Sequence, residues 1–407
     1  MRGLGLRVGA VLDRRLAAKA PAPLAVALSG GGDSLALLIL TLDWAAQNGR
    51  AVQALVFDHG LHPDSAAWTR FAADAAQRLG AVAEILCWEG EKPTTGLPAA
   101  ARAARHAALA DAARETGAGV LLMGHTADDR LEAARMRAEG SSVPDPKPWA
   151  PSPAWPEGRG LFLLRPLLEV RRQALRDFLK SRGETWLEDP ANDNPRFARA
   201  RARAQVRQAD DGAQPAPLAE PGPLAFHGWR EAFGVLETQG AFERAALAAA
   251  CLCVAGTARP PAAERLDRLM ALTGRGDDFT ATLAGARVQR RAGRLTVTRE
   301  MGRLRTPAQP LDPSRPLVWD GRFELNVADE GMTVRALGGI ASRLPKAQRL
   351  ALGQVPAAAR PSLPALVDAD GNASCPILAD GTKGVAASSL VMARFAAACG
   401  QIAAETA

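Results

Sequence analysis

Cysteines are few in this sequence and long apolar runs are absent, and each shortage excludes a class of protein. The chain of 407 residues has only 5 cysteines, and such an odd, scattered set argues against a disulfide framework and favours a reducing cytoplasm. No stretch reaches the roughly 18 uncharged apolar residues that a membrane-spanning helix needs. The basic N-terminus lacks the apolar core and cleavage site of a signal peptide. We therefore expect a soluble, cytoplasmic protein that does not contact a membrane.

The overall composition is that of a globular protein with an excess of positive charge. A length of 407 residues fits two or three domains, and a hydrophobic fraction of 47% with a charged fraction of 23% suits folded domains with substantial cores. The net charge of +7 favours a polyanionic partner such as a nucleic acid, without establishing one.

Residues 1–190 alternate between short apolar runs and helical stretches. The runs lie at Leu24–Leu28, Ala51–Phe57, Ala81–Trp88, Val120–Met123 and Leu161–Leu164. The helical stretches lie at Leu35–Asn48, Ala66–Leu79, Pro98–Thr116 and Val170–Arg182. Short buried strands that alternate with helices predict an α/β fold with a doubly wound parallel sheet. In such a sheet, ligands bind beyond the C-terminal ends of the strands.

Proline and glycine mark the boundaries of the other regions. Residues 140–160 contain six prolines and are predicted to form a loop without regular structure. A second stretch of this kind makes residues 209–228 a linker after a first domain of residues 1–208. We expect a mostly helical substrate-binding domain at residues 229–310, with a β element near its end, and a small α+β C-terminal domain at residues 311–407.

A glycine-rich loop follows the first predicted strand and opens the first predicted helix of the sheet. Its residues are Ser29, Gly30, Gly31, Gly32, Asp33 and Ser34. Glycines let the backbone turn sharply, and the N–H groups of such a turn form an anion site with the helix N-terminus. No Gly-Lys-Ser/Thr follows, so this is not a Walker loop. A capped strand-to-helix turn without a ligand is the alternative.

The form Ser-Gly-Gly-x-Asp-Ser resembles the PP-loop of the N-type ATP pyrophosphatases, which split ATP between its α- and β-phosphates. The resemblance implies that Ser29–Ser34 bind ATP. Asp33 is a poor direct partner for a phosphate because both are anionic, and a Mg²⁺ ion between them would remove the conflict. Alternatively, Asp33 is a carboxylate favoured by the helix dipole.

Two further polar clusters follow predicted strands. Asp58-His59-Gly60 follows the second strand, and Gly124-His125-Thr126 follows the fourth. Asp129 and Glu132 are three residues apart at the start of the next helix and therefore share one face. Two such carboxylates suit a cationic amine or Mg²⁺. An acidic first helical turn that only faces solvent is equally compatible with the spacing.

Taken in order, these segments resemble the tRNA(Ile)-lysidine synthetase family, across the first domain and more loosely beyond it. The matching segments are Ser29–Ser34, Asp58–Leu61, Ala101-Arg102 with Arg105, Gly124–Glu132, Arg165–Leu168, Trp186–Asn192 and the Arg-rich stretch Arg196–Arg203. The family joins free lysine to the wobble cytidine of an isoleucine tRNA with a CAU anticodon. The resemblance implies that ATP, with Mg²⁺, adenylates O2 of the cytidine, and that the lysine ε-amine then attacks C2 and expels AMP.

The resemblance also implies roles for individual residues. Asp58 would join the loop at ATP, and Asp33, Asp129, Glu132 and His125 would be catalytic. Asp129 and Glu132 would hold the lysine, while Arg102 and Arg105 would pair with its carboxylate or with a phosphate. The amine must lose a proton before it attacks; a carboxylate or His125 would accept it, and a purely structural His125 is as compatible with the sequence.

An arginine-rich stretch closes the first domain. Its predicted tRNA contacts are Arg196, Arg199, Arg201 and Arg203, which bind RNA phosphates well because no acidic residue lies between them. A solvated helix face is the alternative. The last domain would also contact tRNA, and a homodimer stays open. Pro98, His106 and the loop at residues 139–160 depart from the family pattern.

Three other functions fit the sequence less well. A PP-loop tRNA thiolase needs nucleophilic cysteines or an iron–sulfur site, yet only Cys87 lies near a predicted strand end and the sequence has no Cys-x-x-Cys pair. An amidotransferase needs a glutaminase domain, which the sequence does not show. An RNA-binding protein with an idle nucleotide loop is disfavoured by the intact acids of the site.

Overall fold

The structure is a computed structural model that describes residues 2–141, 143–188, 198–208, 215–218, 222–224, 226, 228–303, 307–378 and 384–406. The chain forms two compact units. The first comprises Met1–Pro221 together with Ile402–Ala407, and the second comprises Gly222–Gln401. The division of the second unit that the sequence suggests at residue 310 stays a prediction. No helix among the described residues is long and apolar enough to cross a membrane.

The first unit alternates helices and strands. Its helices are α1 (Arg2–Arg15), α2 (Gly32–Asn48), α3 (Ser65–Arg78), α4 (Leu97–Glu115), α5 (Ala127–Ala138), α6 (Arg172–Ser181) and α7 (Ala198–Gln208). Its strands are β1 (Leu24–Leu28), β2 (Val52–Asp58), β3 (Val82–Cys87), β4 (Val120–Met123), β5 (Trp149–Pro151) and β6 (Phe162–Leu164). The predicted strands and helices are therefore present, with ends that differ by a few residues.

The six strands form one sheet in the order β3-β2-β1-β4-β6-β5. Neighbouring strands are parallel except for β5, which runs antiparallel to β6. Leu24, Val26 and Leu28 of β1 belong to a core with α1, α2, α3 and α6, whereas Ala25 belongs to a second core with α4. Side chains alternate along a strand, so helices cover both faces. The doubly wound parallel sheet is confirmed.

The strand order places two polar loops next to each other. The chain adds β2 and β3 on one side of β1 and then crosses to β4 on the other side. Such a change of direction leaves a crevice at the C-terminal ends of the two central strands. The loop after β1 begins at Ser29, and the loop after β4 begins at Gly124. The fold therefore directs both toward the same crevice.

The Pro-rich residues 140–160 are not wholly irregular, as the sequence suggested. They contain β5, whose Trp149 ring stacks on Phe162 of β6 at 4.9 Å between ring centroids. Pro151 lies on this strand at the outer edge of the sheet. Proline has no N–H to donate, and an edge strand tolerates this because it has a neighbouring strand on one side only. The edge position explains how a proline-rich segment adds a strand.

The second unit is built from three sheets with four helices in its described part. Its strands are β7 (Arg230–Ala232), β8 (Val235–Thr238), β9 (Phe279–Leu283), β10 (Ala286–Arg291), β11 (Arg294–Arg299), β12 (Gln309–Pro310), β13 (Leu317–Trp319), β14 (Phe323–Val327), β15 (Thr333–Ala336), β16 (Pro364–Val367), β17 (Ala373–Ser374) and β18 (Val385–Ser389). Its helices are α8 (Arg244–Val254), α9 (Ala263–Gly274), α10 (Lys346–Ala351) and α11 (Val391–Ala398). The sheet orders are β7-β8-β11-β10-β9, β12-β15-β16-β17 and β13-β14-β18.

The expectation of a mostly helical region at residues 229–310 needs correction. The helix predicted from Trp229 begins only at Arg244, and β7 and β8 form a hairpin before it. Phe233 and Gly234 have φ angles of 57° and 74°, which suit a two-residue hairpin turn and interrupt a helix. The β element predicted at the end of this region is present as β9, β10 and β11.

Candidate active site

The glycine-rich loop closes on itself at the start of α2. The Ser34 hydroxyl donates to the Gly31 carbonyl at 2.9 Å, and its oxygen accepts from the Ser29 N–H at 3.2 Å. The first helical hydrogen bond is donated by Leu35 to Gly31, so the N–H groups of Gly32, Asp33 and Ser34 belong to the first turn and have no acceptor within the helix. These amides are the donors that the predicted anion site requires, and the binding of phosphates to them stays a prediction.

A second segment of the chain lies against this loop. The Leu187 N–H donates to the Gly30 carbonyl at 3.0 Å. Gly30 has a φ of +79°, and a Cβ at this position would lie 2.9 Å from Leu187. A Cβ on Gly32 would lie 3.3 Å from the Trp186 ring. The loop therefore needs small residues where Trp186 and Leu187 cover it; the rest of that motif, residues 189–192, lies outside the described residues.

Gly124 sets the distance between the two polar loops. A Cβ at this position would lie 3.1 Å from both the Cα and the N of Ser34. A side chain would therefore displace the backbone at the start of α2. The close approach brings the first turn of α5 beside the first turn of α2, which is where the acidic residues of both helices lie.

Three predicted acids converge on one guanidinium, that of Arg172 at the start of α6. Its Nε lies 2.9 Å from Asp33, and its terminal nitrogens lie 3.3 Å from Glu132 and 3.7 Å from Asp129. Burial opposes the positive charge of Arg172, but the three carboxylates outweigh it and raise its pKa. Burial also raises the pKa of Asp33 above its ordinary value, and Arg172 only partly offsets this.

Asp129 also caps the helix on which it lies. The Thr126 N–H and hydroxyl both donate to Asp129 Oδ2, at 2.6 and 3.0 Å. This pair is a capping box, which fixes where α5 begins. Burial would raise the pKa of Asp129, but the charges of Arg199 and Arg172 hold it below its ordinary value. Asp129 therefore caps the N-terminus of α5 with Oδ2 and faces the arginines with Oδ1.

Two arginines of α7 contact the same acids. Arg199 donates to Asp129 Oδ1 and, at 3.1 Å, to Glu132 Oε2. Arg203 donates to Glu132 Oε1 at 2.9 Å, and the Glu132 side chain is only 1% exposed. The structure thus gives these two arginines carboxylate partners, where the sequence suggested an RNA-facing run. Arg201 is exposed, and Arg196 lies outside the described residues.

Sequence reasoning missed Arg171 and Arg172. Arg171 lies 3.3 Å from Asp128, which also accepts the Arg172 N–H at 2.7 Å. Two cations at the N-terminus of a helix oppose the helix dipole. That unfavourable placement was the available signal that carboxylates of another element lie close to α6.

Cationic side chains gather on the side of the site that faces α4. Burial, followed by the charges of Arg102 and Arg199, lowers the pKa of Arg105 to about 10. Burial and Arg102 also lower the pKa of Arg165 to about 10. The Nε atoms of Arg105 and Arg165 are buried without a hydrogen-bond partner among the described residues. Buried donors without acceptors are costly, so this group suits an anion.

The two histidines of the site are neutral at pH 7. Burial, together with Arg105 and Arg102, lowers the pKa of His106 to about 3. Burial lowers the pKa of His125 to about 3 as well, although Asp129 opposes the shift. A histidine with this pKa is a weak base, and so is Asp129 with its lowered pKa, so the acceptor of the amine's proton stays a prediction.

Asp58 lies at the end of β2, next to β1 in the sheet. Its Oδ1 accepts the Gly60 N–H at 2.7 Å, and Lys92 donates to the Gly60 carbonyl at 3.0 Å. Asp58 therefore shapes the turn after its strand. Its contact with ATP stays a prediction.

The donor set around Asp33 bears on the expected Mg²⁺ ion. Within the described ranges, no three His, Cys, Asp or Glu side chains come together as a group that would hold a metal ion by themselves. Mg²⁺ is commonly bound by one or two carboxylates together with substrate phosphates and water. Asp33 at the phosphate loop fits a metal of that kind and does not fit an all-protein cage.

Several known proteins are similar to this chain. The profile of the PP-loop domain matches residues 7–210. The tRNA(Ile)-lysidine synthase of Caulobacter vibrioides is 50% identical over 405 residues, 97% of each chain. The tRNA(Ile)-lysidine synthase of Hyphomonas neptunium is 39% identical over 323 residues, 73% of this chain and 86% of that one. The solved U34-tRNA thiolase NcsA of Methanococcus maripaludis covers 50% of this chain and 72% of its own at 17% identity, with a TM-score of 0.40.

Proposed function

The chain belongs to the tRNA(Ile)-lysidine synthase family, and from this premise we propose which substrates its site takes and what each residue does. It is an ATP-dependent, tRNA-modifying ligase with a PP-loop domain. We propose that it joins free lysine to C2 of the wobble cytidine in the CAU anticodon of isoleucine tRNA. The observation that carries this proposal is the meeting of Asp33, Asp129 and Glu132 around Arg172 beside the phosphate loop.

In the first step, O2 of the cytidine attacks the α-phosphorus of ATP and pyrophosphate leaves. The amides of Gly32, Asp33 and Ser34, with the Ser29 hydroxyl, would hold the phosphates and stabilise the charge that develops on them. Mg²⁺, held by Asp33 and the phosphates, would neutralise the leaving group. The hydrogen bonds within the loop support this role, because Ser34 fixes the positions of Gly31 and Ser29.

In the second step, the lysine ε-amine attacks C2, the C2–O bond breaks, and AMP leaves with the oxygen. Asp129 and Glu132 are the anionic side of the site, and Arg102, Arg105 and Arg165 are a cationic side. Free lysine carries an α-ammonium and a carboxylate, so these two sides match its charges. The pKa values of His125 and Asp129 are both lowered, so either His125 or a carboxylate of the cluster is proposed as the acceptor of the amine's proton.

The polyanionic partner is tRNA. We propose that Arg199, Arg201 and Arg203 contact its phosphates, together with the second unit, within which residues 229–310 and 311–407 would each contact substrate. The net charge of +7 supports this assignment. We also propose that the protein acts in the cytoplasm and forms a homodimer.

The thiolase alternative is not favoured. Cys251, Cys253, Cys375 and Cys399 are buried, and Cys87 is the one exposed cysteine. Burial raises the pKa of Cys251, Cys253 and Cys375 to about 12. A sulfur-transfer enzyme needs an accessible thiolate, which these residues do not supply.

The proposed reaction is tested with labelled lysine, ATP and transcribed isoleucine tRNA. We expect label in the CAU tRNA, no label when the wobble cytidine is replaced by uridine, and one AMP released for each lysine joined. Asp33→Asn should abolish transfer, whereas Asp43→Asn, on the exposed side of the same helix, should not. Transfer that persists in Asp33→Asn, or that ignores the wobble base, would overturn the proposal.

A further inference from the structure

The carboxylates that the proposed function assigns to lysine already have partners. Asp129 Oδ2 accepts from Thr126, and its Oδ1 accepts from Arg199. Glu132 Oε1 accepts from Arg172 and Arg203, and its Oε2 accepts from Arg199. Each of the four carboxylate oxygens therefore accepts at least one hydrogen bond. A lysine ammonium that binds here competes with the guanidinium groups for these oxygens.

The partners differ in how easily they are replaced. Thr126 is fixed because its bonds to Asp129 begin α5. Arg172 also holds Asp33, and its side chain is only 14% exposed. The Arg199 side chain, by contrast, is 45% exposed while it spans Asp129 and Glu132. Arg199 is thus the partner that a molecule in solution reaches first.

The composition of α7 identifies what would draw its arginines away. Its sequence, ARARARAQVRQ, has no acidic residue. Arg199 and Arg203 are four residues apart and therefore lie on one helix face. Buried Ala202 and Val206 anchor the helix. RNA phosphates bind guanidinium groups in charge-assisted pairs and compete directly with carboxylates for them.

We propose that Arg199 acts as an RNA-operated latch on the lysine site. Arg203, only 14% exposed like Arg172, is not part of the latch. Without tRNA, Arg199 spans Asp129 and Glu132 and keeps lysine out. When tRNA binds, its phosphates take over this guanidinium group, and the two carboxylates become available to the lysine ammonium. Lysine therefore binds after the tRNA, when the cytidine with which it reacts is already in the site. The latch rests on the proposed function, since it regulates the same site.

The latch makes an unusual prediction about binding. Titration calorimetry of L-lysine into the protein alone should give weak binding, which strengthens when the CAU isoleucine tRNA transcript is present. Arg199→Gln should strengthen lysine binding without tRNA by roughly tenfold, about the effect of one charge-assisted hydrogen bond, and should reduce the response to tRNA. Arg203→Gln should leave the response of lysine binding to tRNA in place, because Arg199 still spans the two carboxylates.

Two further variants serve as controls. Arg199→Lys retains the charge and should keep the latch closed, whereas Arg182→Gln, which removes an arginine paired with Asp43, should leave lysine binding unchanged. If folded Arg199→Gln binds lysine equally or more weakly than the parent protein, the latch is wrong. If the parent protein transfers no lysine to tRNA at all, the proposed function has failed, whatever the variant binds.

Discussion

Removing Arg172 tests whether this residue neutralises the acidic cluster. Arg172→Met keeps much of the side-chain volume and leaves Asp33, Asp129 and Glu132 with one cation fewer. Breaking a buried ion pair by removing one partner costs about 3–5 kcal/mol. Because Arg199 and Arg203 still contact two of the acids, we expect a loss near the lower end, about 3 kcal/mol at pH 7.

The loss should depend on pH in a definite direction. Arg172 helps to hold the pKa of Asp129 below its ordinary value, so the stability from this pair is present above the unfolded pKa and disappears as the pH falls through the folded one. Without Arg172, Asp33 would have a still higher pKa and would destabilise the protein most at high pH. The difference between variant and parent should therefore shrink as the pH is lowered from 7 toward 4, because Asp33 takes up a proton in this range, whereas the contribution of Asp129 is lost only at lower pH.

Thermal and urea unfolding at several pH values measure this difference. Arg176→Met is the matched control, because Arg176 lies on the same helix and pairs with the exposed Glu188 at 3.0 Å; such surface pairs contribute about 0–1 kcal/mol. A loss in Arg172→Met no larger than in the control, or one that is equal at pH 7 and pH 4, would refute the account of the cluster.

Three other predictions concern separate contacts. Gly124→Ala should abolish ATP-dependent pyrophosphate release because its Cβ would lie 3.1 Å from the Ser34 backbone, whereas Gly119→Ala, which has open space around it, should retain it. Glu405→Ala should lower the unfolding free energy by about 3 kcal/mol, because it leaves the fully buried Arg50 without its carboxylate; an unchanged melting temperature would contradict this. The pKa of His106 is about 3 in the folded protein, below its unfolded value, so the stability that neutral His106 contributes is present above pH 6.5 and is lost as the pH falls. Between pH 7.5 and 5.5, the melting temperature of His106→Phe should therefore decline less than that of the parent protein.

The sequence predicts the first unit well because its signals are local. A buried strand such as Leu24–Leu28 is a short apolar run, and the loop that follows it carries its glycines within a few residues. The alternation of strands and helices predicts the doubly wound parallel sheet, although it does not determine the order of the strands. The hairpin at β7 and β8 was missed because its turn, Phe233-Gly234, lacks the Asn-Gly or Asp-Gly pair that most often marks such turns.

The composition of the site was only partly predictable for a different reason. Asp129 and Glu132 share a helix, so their proximity follows from spacing. Arg172 meets them only through the packing of α6, and Arg199 through that of α7, and neither contact leaves a local pattern. The Arg50–Glu405 pair joins residues 355 positions apart, which no motif of either segment announces. Long-range ion pairs of this kind are found only once the fold is known.

The central claim is that the phosphate loop carries the first step and that Asp129 and Glu132 carry the use of lysine. Mass analysis of the wobble nucleoside, with pyrophosphate release measured in the same reaction, tests it most directly. The parent protein should convert the cytidine to its lysine adduct. Glu132→Gln should still release pyrophosphate and yield adenylated tRNA, with little or no lysine adduct. Full lysine transfer by Glu132→Gln, or loss of pyrophosphate release with the fold intact, would contradict the account.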